Sequence, residues 1–166
     1  SKRNYAYFME MGCGKSKVLI DNITWLYEGG HIDTAIVVAP KGVYRNWQIS
    51  EIPAHLPEDI EHEVYVWNPN PNKTQTNHLT EGVTQREKLR ILLANVEGFA
   101  TPKVRKYLEM FVRGSSFLLA VDESTTIKNP KAKRTKALVA LGKGASFRRI
   151  LTGSPVTKSP MDLYSQ

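Results

Sequence analysis

Apolar positions along the chain alternate between two periods. From Lys15 they recur at three- and four-residue spacing, with Leu19, Ile23 and Leu26 on one stripe that Val18 and Ile20 widen, and Gly29-Gly30 closes the segment. That pattern predicts an amphipathic helix. Thr34-Ala35-Ile36-Val37-Val38-Ala39 is instead a continuous run stopped by Pro40, as expected of a strand buried on both faces of a parallel sheet. Phe117-Leu118-Leu119-Ala120-Val121 is the strongest strand of this kind, and residues 64–67, 90–94 and 149–151 read as shorter ones. Between them the spacing predicts helices over 43–52, carrying Trp47 and ended by Pro53, and over 85–89. Further helices are expected over 102–113, with Val104, Leu108, Phe111 and Val112 inward, over 131–141, and from Pro160 onward. Residues 68–80, with Pro69, Pro71 and four asparagines, read as a loop.

This alternation argues for a doubly wound α/β domain. The expected fold is one three-layer domain over residues 1–166, with a largely parallel central sheet flanked by helices. No internal repeat or low-complexity tract interrupts it.

Composition adds little to the fold and something to the setting. An apolar share of 41% with 23% charged residues is ordinary for a globular domain of this length. No apolar run is long enough to cross a bilayer and no leader-like stretch follows Ser1-Lys2-Arg3, so the expectation is an intracellular protein. Cys13 is the only cysteine, which excludes an internal disulfide and a cysteine-built zinc site. The charge is lopsided. Residues 124–166 hold nine Lys or Arg against Asp162 alone, a local balance of +8 in a chain of net +7. Such a segment is either a solvated helix face or the footprint of a polyanion, most simply nucleic acid.

Chemistry concentrates in two places. Met9-Glu10-Met11-Gly12-Cys13-Gly14-Lys15-Ser16 places G-x-G-K-S at the start of the first helix. Glycines there let consecutive backbone amides converge on an anion, Lys15 adds a charge for the β- and γ-phosphates, and Ser16 offers a hydroxyl to magnesium. The first position of the full G-x-x-x-x-G-K-[ST] pattern is Met9, so the alternative is a glycine-containing helix start with no ligand. The second place is the end of the 117–121 strand, where Asp122 and Glu123 follow directly. Ligands of open α/β sheets bind at such strand ends. Asp122 is the candidate to fix a magnesium ion and Glu123 to polarise an attacking water; the alternative is a capping Asp beside a solvent-facing Glu.

Four segments together resemble a known family. Residues 10–16, Val38-Ala39-Pro40-Lys41 with Asn46-Trp47, Asp122-Glu123-Ser124-Thr125-Thr126-Ile127-Lys128-Asn129, and Leu151-Thr152-Gly153-Ser154-Pro155-Val156 are similar to motifs I, Ia, II and III of the Swi/Snf family. That family comprises superfamily-two helicase-like ATPases that translocate on double-stranded DNA. The resemblance implies the first RecA-like, P-loop lobe of a two-lobed motor that uses ATP and Mg2+. It assigns Gly12, Cys13, Gly14, Lys15 and Ser16 to the nucleotide, and Ser16 and Asp122 to the metal. Lys15, Asp122 and Glu123 become the catalytic set. Thr152, Gly153 and Ser154 couple nucleotide state to DNA, and Pro40, Lys41 and Lys128 lie on the DNA side. Trp47 reads as core rather than as a platform for a base.

Departures from the family pattern shape the expectation. The acidic box is D-E-S-T where D-E-A-H is common, a variant like those of phage and bacterial members, which points to a prokaryotic or phage-infected cytoplasm, or to a nucleus if the source is eukaryotic. The chain is expected to be a fragment lacking the adenine-contacting segment upstream and the second lobe with its arginine fingers. Alone it should be a poor ATPase, since an arginine finger contributes roughly 10³–10⁵ in rate. Two other classes stand beside this reading. One is a small P-loop kinase with a basic lid in residues 128–149, and the other a non-catalytic module that binds nucleic acid through its basic third.

Overall fold

A computed structural model of the chain describes residues 3–9, 14–122 and 133–152. Among them six strands form one sheet: β1 (Asn4–Phe8), β2 (Thr34–Ala39), β3 (His62–Val66), β4 (Leu89–Asn95), β5 (Phe117–Asp122) and β6 (Phe147–Thr152). Their order is β1-β6-β5-β2-β4-β3, and every neighbouring pair is parallel. The helical elements are α1 (Lys15–Glu28), α2 (Val43–Asn46), a π-helical turn (Trp47–Glu51), α3 (Ile52–His55), α4 (Lys73–Thr84), a 3-10 turn (Val96–Ala100), α5 (Pro102–Val112) and α6 (Lys133–Gly144). The expected α/β fold with a parallel central sheet between helical layers is what forms.

The period of two in the strands sorts their side chains onto two cores. Ile36, Val38, Leu92, Leu119 and Val121 face α4, α5 and α6, meeting Leu79, Leu108, Phe111 and Leu138. Ala35, Val37, Leu93, Leu118 and Ala120 face the other way, against Leu19, Ile23 and Leu26 of α1 and against Trp47 and Ile52. Each fully buried aliphatic side chain contributes roughly 1.5–3 kcal/mol, and burial on both faces is why residues 35–39, 91–94 and 117–121 read as unbroken apolar runs.

Two buried arginines tie the layers together. Arg90 of β4 is wholly buried; its Nη1 donates to the carbonyls of Gly82 (2.7 Å) and Phe111 (2.8 Å), and its Nη2 to Thr34 Oγ1 (2.7 Å) and Ser115 Oγ (2.6 Å). It thereby draws the last turns of α4 and α5 to the start of β2, where helix carbonyls lack partners of their own. Burial pushes its guanidinium down to about 10, which still leaves it charged at neutral pH. Arg149 of β6 is likewise buried, donating through Nε to Asn22 Oδ1 (2.8 Å) on α1 and through Nη1 to the carbonyl of Arg3 (3.0 Å).

Several expectations need correction. Residues 68–80 are not a loop throughout, because α4 begins at Lys73: the Asn72 side chain accepts from the Gln75 amide (2.8 Å), and Gln75 returns the bond to the Asn72 amide (3.0 Å). This reciprocal cap satisfies the first turn of a largely polar helix. No helix covers 85–89, since α4 ends at Thr84 and Leu89 already opens β4. Pro53 does not end its helix: it sits in the first turn of α3, after the π-helical turn, and the chain leaves helical geometry only at Leu56. β1 and the 3-10 turn were not expected at all. The helix expected from Pro160 lies outside the described residues. Among the described residues no helix is long and apolar enough to cross a membrane.

Replacing Arg90 by Met keeps the bulk but strips four hydrogen bonds and leaves two helix-end carbonyls buried without their donor. Urea unfolding should register a loss of about 3 kcal/mol for Arg90→Met. Asn72→Ala should cost about 1 kcal/mol, the usual value of a cap. If the arginine change costs no more than the cap, Arg90 does not tie the layers.

Candidate functional site

The sheet brings separate segments to one edge. β1, β6, β5 and β2 are consecutive neighbours, with Phe8 opposite Thr152, Leu151 opposite Asp122, and Val38 opposite Val121. Their carboxyl ends therefore line up, and each is followed by one of the segments singled out in the sequence: 9–16 after β1, 153–156 after β6, 123–129 after β5, and Pro40-Lys41 after β2. This is the edge at which ligands of open α/β sheets bind.

Gly14 marks the start of α1 and adopts a left-handed conformation (φ 78°, ψ 29°). A Cβ there would meet no atom within 4 Å, so the backbone angle, not crowding, is what calls for glycine. Its carbonyl accepts the first helical bond, from the Val18 amide (3.0 Å). Lys15 and Ser16 follow in the first turn, both half-buried, and no acidic residue occupies that turn. The helix dipole there favours an anion.

Asp122 is the last residue of β5 and is 6% exposed. Its Oδ2 accepts a hydrogen bond from Trp47 Nε1 at 3.0 Å, across 75 residues of sequence. Trp47 is itself 1% exposed, so the expectation that it belongs to the core holds, with a polar tip that the sequence did not reveal. Among the described residues no group of three or more His, Cys, Asp or Glu could hold a metal ion by protein ligands alone. A serine hydroxyl, one carboxylate and ligand phosphates are a set suited to magnesium, which keeps waters and takes one or two carboxylates.

Pro40 is half-buried and Lys41 exposed beyond the end of β2, and the Pro40 carbonyl accepts from the Val43 amide (3.0 Å) as α2 begins. Thr152 closes β6. Gly12, Cys13, Glu123, Lys128, Gly153 and Ser154 lie outside the described residues. The basic third is partly spoken for. Arg149 is buried, and Arg148 donates to Asn4 Oδ1 (3.0 Å) and to the carbonyl of Gly142. Lys133, Lys136 and Lys143 are exposed.

A cleft of about 490 Å³ lies elsewhere, over the edge strand β3 between Tyr44, Gln48, Trp67 and His78. Chemistry, not cavity size, identifies the site: the cleft holds neither the glycine-framed helix start nor Asp122.

Known proteins share both the fold and the family of this chain. In solved structures the fold matches the Sulfolobus solfataricus SWI2/SNF2 ATPase core in complex with dsDNA, at TM-score 0.67 and 21% identity, covering 96% of this chain and 30% of that one. It also matches the UvsW helicase of bacteriophage T4, at TM-score 0.61 and 11% identity, covering 92% of this chain and 47% of that one. A curated relative from Xenopus laevis, the SWI/SNF-related matrix-associated actin-dependent regulator of chromatin subfamily A-like protein 1, is 27% identical over 131 residues. That alignment takes in 79% of this chain and 12% of the relative, so the chain spans about an eighth of its length. The SNF2-related domain matches residues 3–165, and the chain belongs to that family.

Proposed function

We propose that this chain is the nucleotide-binding RecA-like lobe of a DNA-dependent ATPase that couples ATP hydrolysis to movement on double-stranded DNA. The observation that supports the reading is the alignment of the β1, β6, β5 and β2 ends, with Asp122 closing β5 and Gly14, Lys15 and Ser16 opening the helix that follows β1. Family membership supports ATP use, and duplex DNA is present in the Sulfolobus structure, which shares the fold.

The residues divide the work as follows. The loop that ends at Gly14 presents backbone amides to the β- and γ-phosphates, with Gly12 and Cys13 in its course. Lys15 neutralises phosphate charge from the first turn of α1. Ser16 and Asp122 would hold magnesium, which would supply positive charge against the charge that develops on the phosphates. Glu123, next after Asp122, accepts the proton of the attacking water. Thr152, Gly153 and Ser154, at the end of the neighbouring strand, sense whether the γ-phosphate is present. Pro40, Lys41 and Lys128 contact the DNA backbone, where lysines act as point charges. The charge that the site leaves uncompensated is met by arginines from a second lobe, so this lobe alone binds nucleotide and turns it over slowly.

In a protein that carries both lobes, duplex DNA should stimulate ATPase activity, and either Lys15→Ala or Glu123→Gln should lower that activity by 10³-fold or more on the order of a lost catalytic group. Full activity in both variants overturns the assignment. Transfer of phosphate to a small acceptor by the present chain would instead identify a kinase. Salt-sensitive DNA binding with no nucleotide binding would identify a non-catalytic module.

A further inference from the structure

Asp122 is held by a residue that the motif reading leaves among the core. Trp47 lies at the start of the π-helical turn Trp47–Glu51, and its indole Nε1–H donates to Asp122 Oδ2 at 3.0 Å with both side chains buried. The rest of the indole ring packs in the core between α1 and the sheet, with Ile20, Ile23, Val37 and Ile52 around it. A ring fixed in that way cannot follow the carboxylate if it rotates, so the bond favours one orientation of the carboxylate. Single π-turns inside helices recur at functional sites because the extra residue re-aims a side chain. Here Trp47 is the residue on which the turn opens, and Asp122 is what it reaches.

We infer that Trp47 is a positioning residue for the magnesium-binding carboxylate, orienting Asp122 from outside the metal's own ligands through the indole N–H. Outer partners of this kind hold a carboxylate in the one rotamer that suits the ion, and their loss commonly weakens metal affinity about tenfold or more. The inference rests on the proposed nucleotide site, and it concerns only the metal-dependent part of nucleotide binding. The ring's packing alone would predict something different, namely a loss of stability that affects binding with and without magnesium alike.

Trp47→Phe keeps an aromatic ring in the core and deletes the N–H. The test is a titration of a fluorescent, non-hydrolysable ATP analogue into this chain at a series of Mg2+ concentrations. The wild-type chain should bind more tightly as Mg2+ rises. Trp47→Phe should match it without Mg2+ and need about tenfold more Mg2+ to reach the same affinity. An unchanged Mg2+ requirement, or an equal loss at every Mg2+ concentration, overturns the inference. A wild-type chain that binds no nucleotide, or binds it equally well after Lys15→Ala, overturns the proposed site and this inference with it. A second measurement needs no change at Trp47. Of the three tryptophan indole N–H resonances, the one left unassigned by Trp25→Phe and Trp67→Phe should move on addition of Mg2+ with the analogue and stay in place with the analogue alone. A resonance that ignores Mg2+ counts against the idea even if Trp47→Phe fails to fold.

Discussion

Parallel pairing in fixed register is the constraint from which the rest of the molecule follows. Side chains alternate across a strand, so a slip of one residue between β5 and β2 would turn Leu118 and Ala120 away from α1 and into the opposite core. Two buried faces forbid that slip. The same register fixes where the strands end, and it sets Asp122, Thr152 and Phe8 level along one edge. A site assembled from residues more than a hundred positions apart thus needs no long-range contact of its own to be built. It inherits its geometry from the hydrophobic sorting of the sheet.

What the apolar layers cannot do is hold the outer elements in place at their polar ends, and the two arginines supply that. Arg90 gathers carbonyls at the ends of α4 and α5, while Arg149 joins α1 to the residue that precedes β1. Both are buried and charged, at a desolvation cost that only multiple acceptors offset. The second of them matters for the site. α1 and β1 lie on either side of the glycine-containing segment in sequence, and Arg149 bonds both to α1 and to the residue that precedes β1.

Legibility in the sequence follows the same physics. β2, β4 and β5 could be read directly, because strands buried on both sides are apolar over most of their length, and α1 could be read from its stripe and its closing glycines. β1 could not: as an edge strand it mixes Asn4, two tyrosines and Ala6, and in isolation that segment carries no alternation strong enough to name. α4 was hidden by its asparagines and threonines, whose ordinary preference for turns is outweighed once Asn72 and Gln75 cap each other. A motif of the form N-x-x-Q was present to be noticed. The basic third misled in part, since charge counting cannot distinguish a lysine in water from an arginine such as Arg149 inside the domain. For the site, the glycine-lysine-serine start and the acidic strand end were both visible, because their chemistry depends on local order. The Trp47–Asp122 bond was not, because nothing local to either residue encodes a partner 75 positions away.

That bond also changes how the segment after β2 is understood. Pro40 and Lys41 leave the sheet at the edge where the site lies, the Pro40 carbonyl is taken up by the Val43 amide, and helical geometry then continues without a break from Val43 through the π-helical turn to His55. The exposed Lys41 and the buried indole of Trp47 are therefore two ends of one short, hydrogen-bonded span. The span thus carries a charged residue near its outer end and the donor to Asp122 further along.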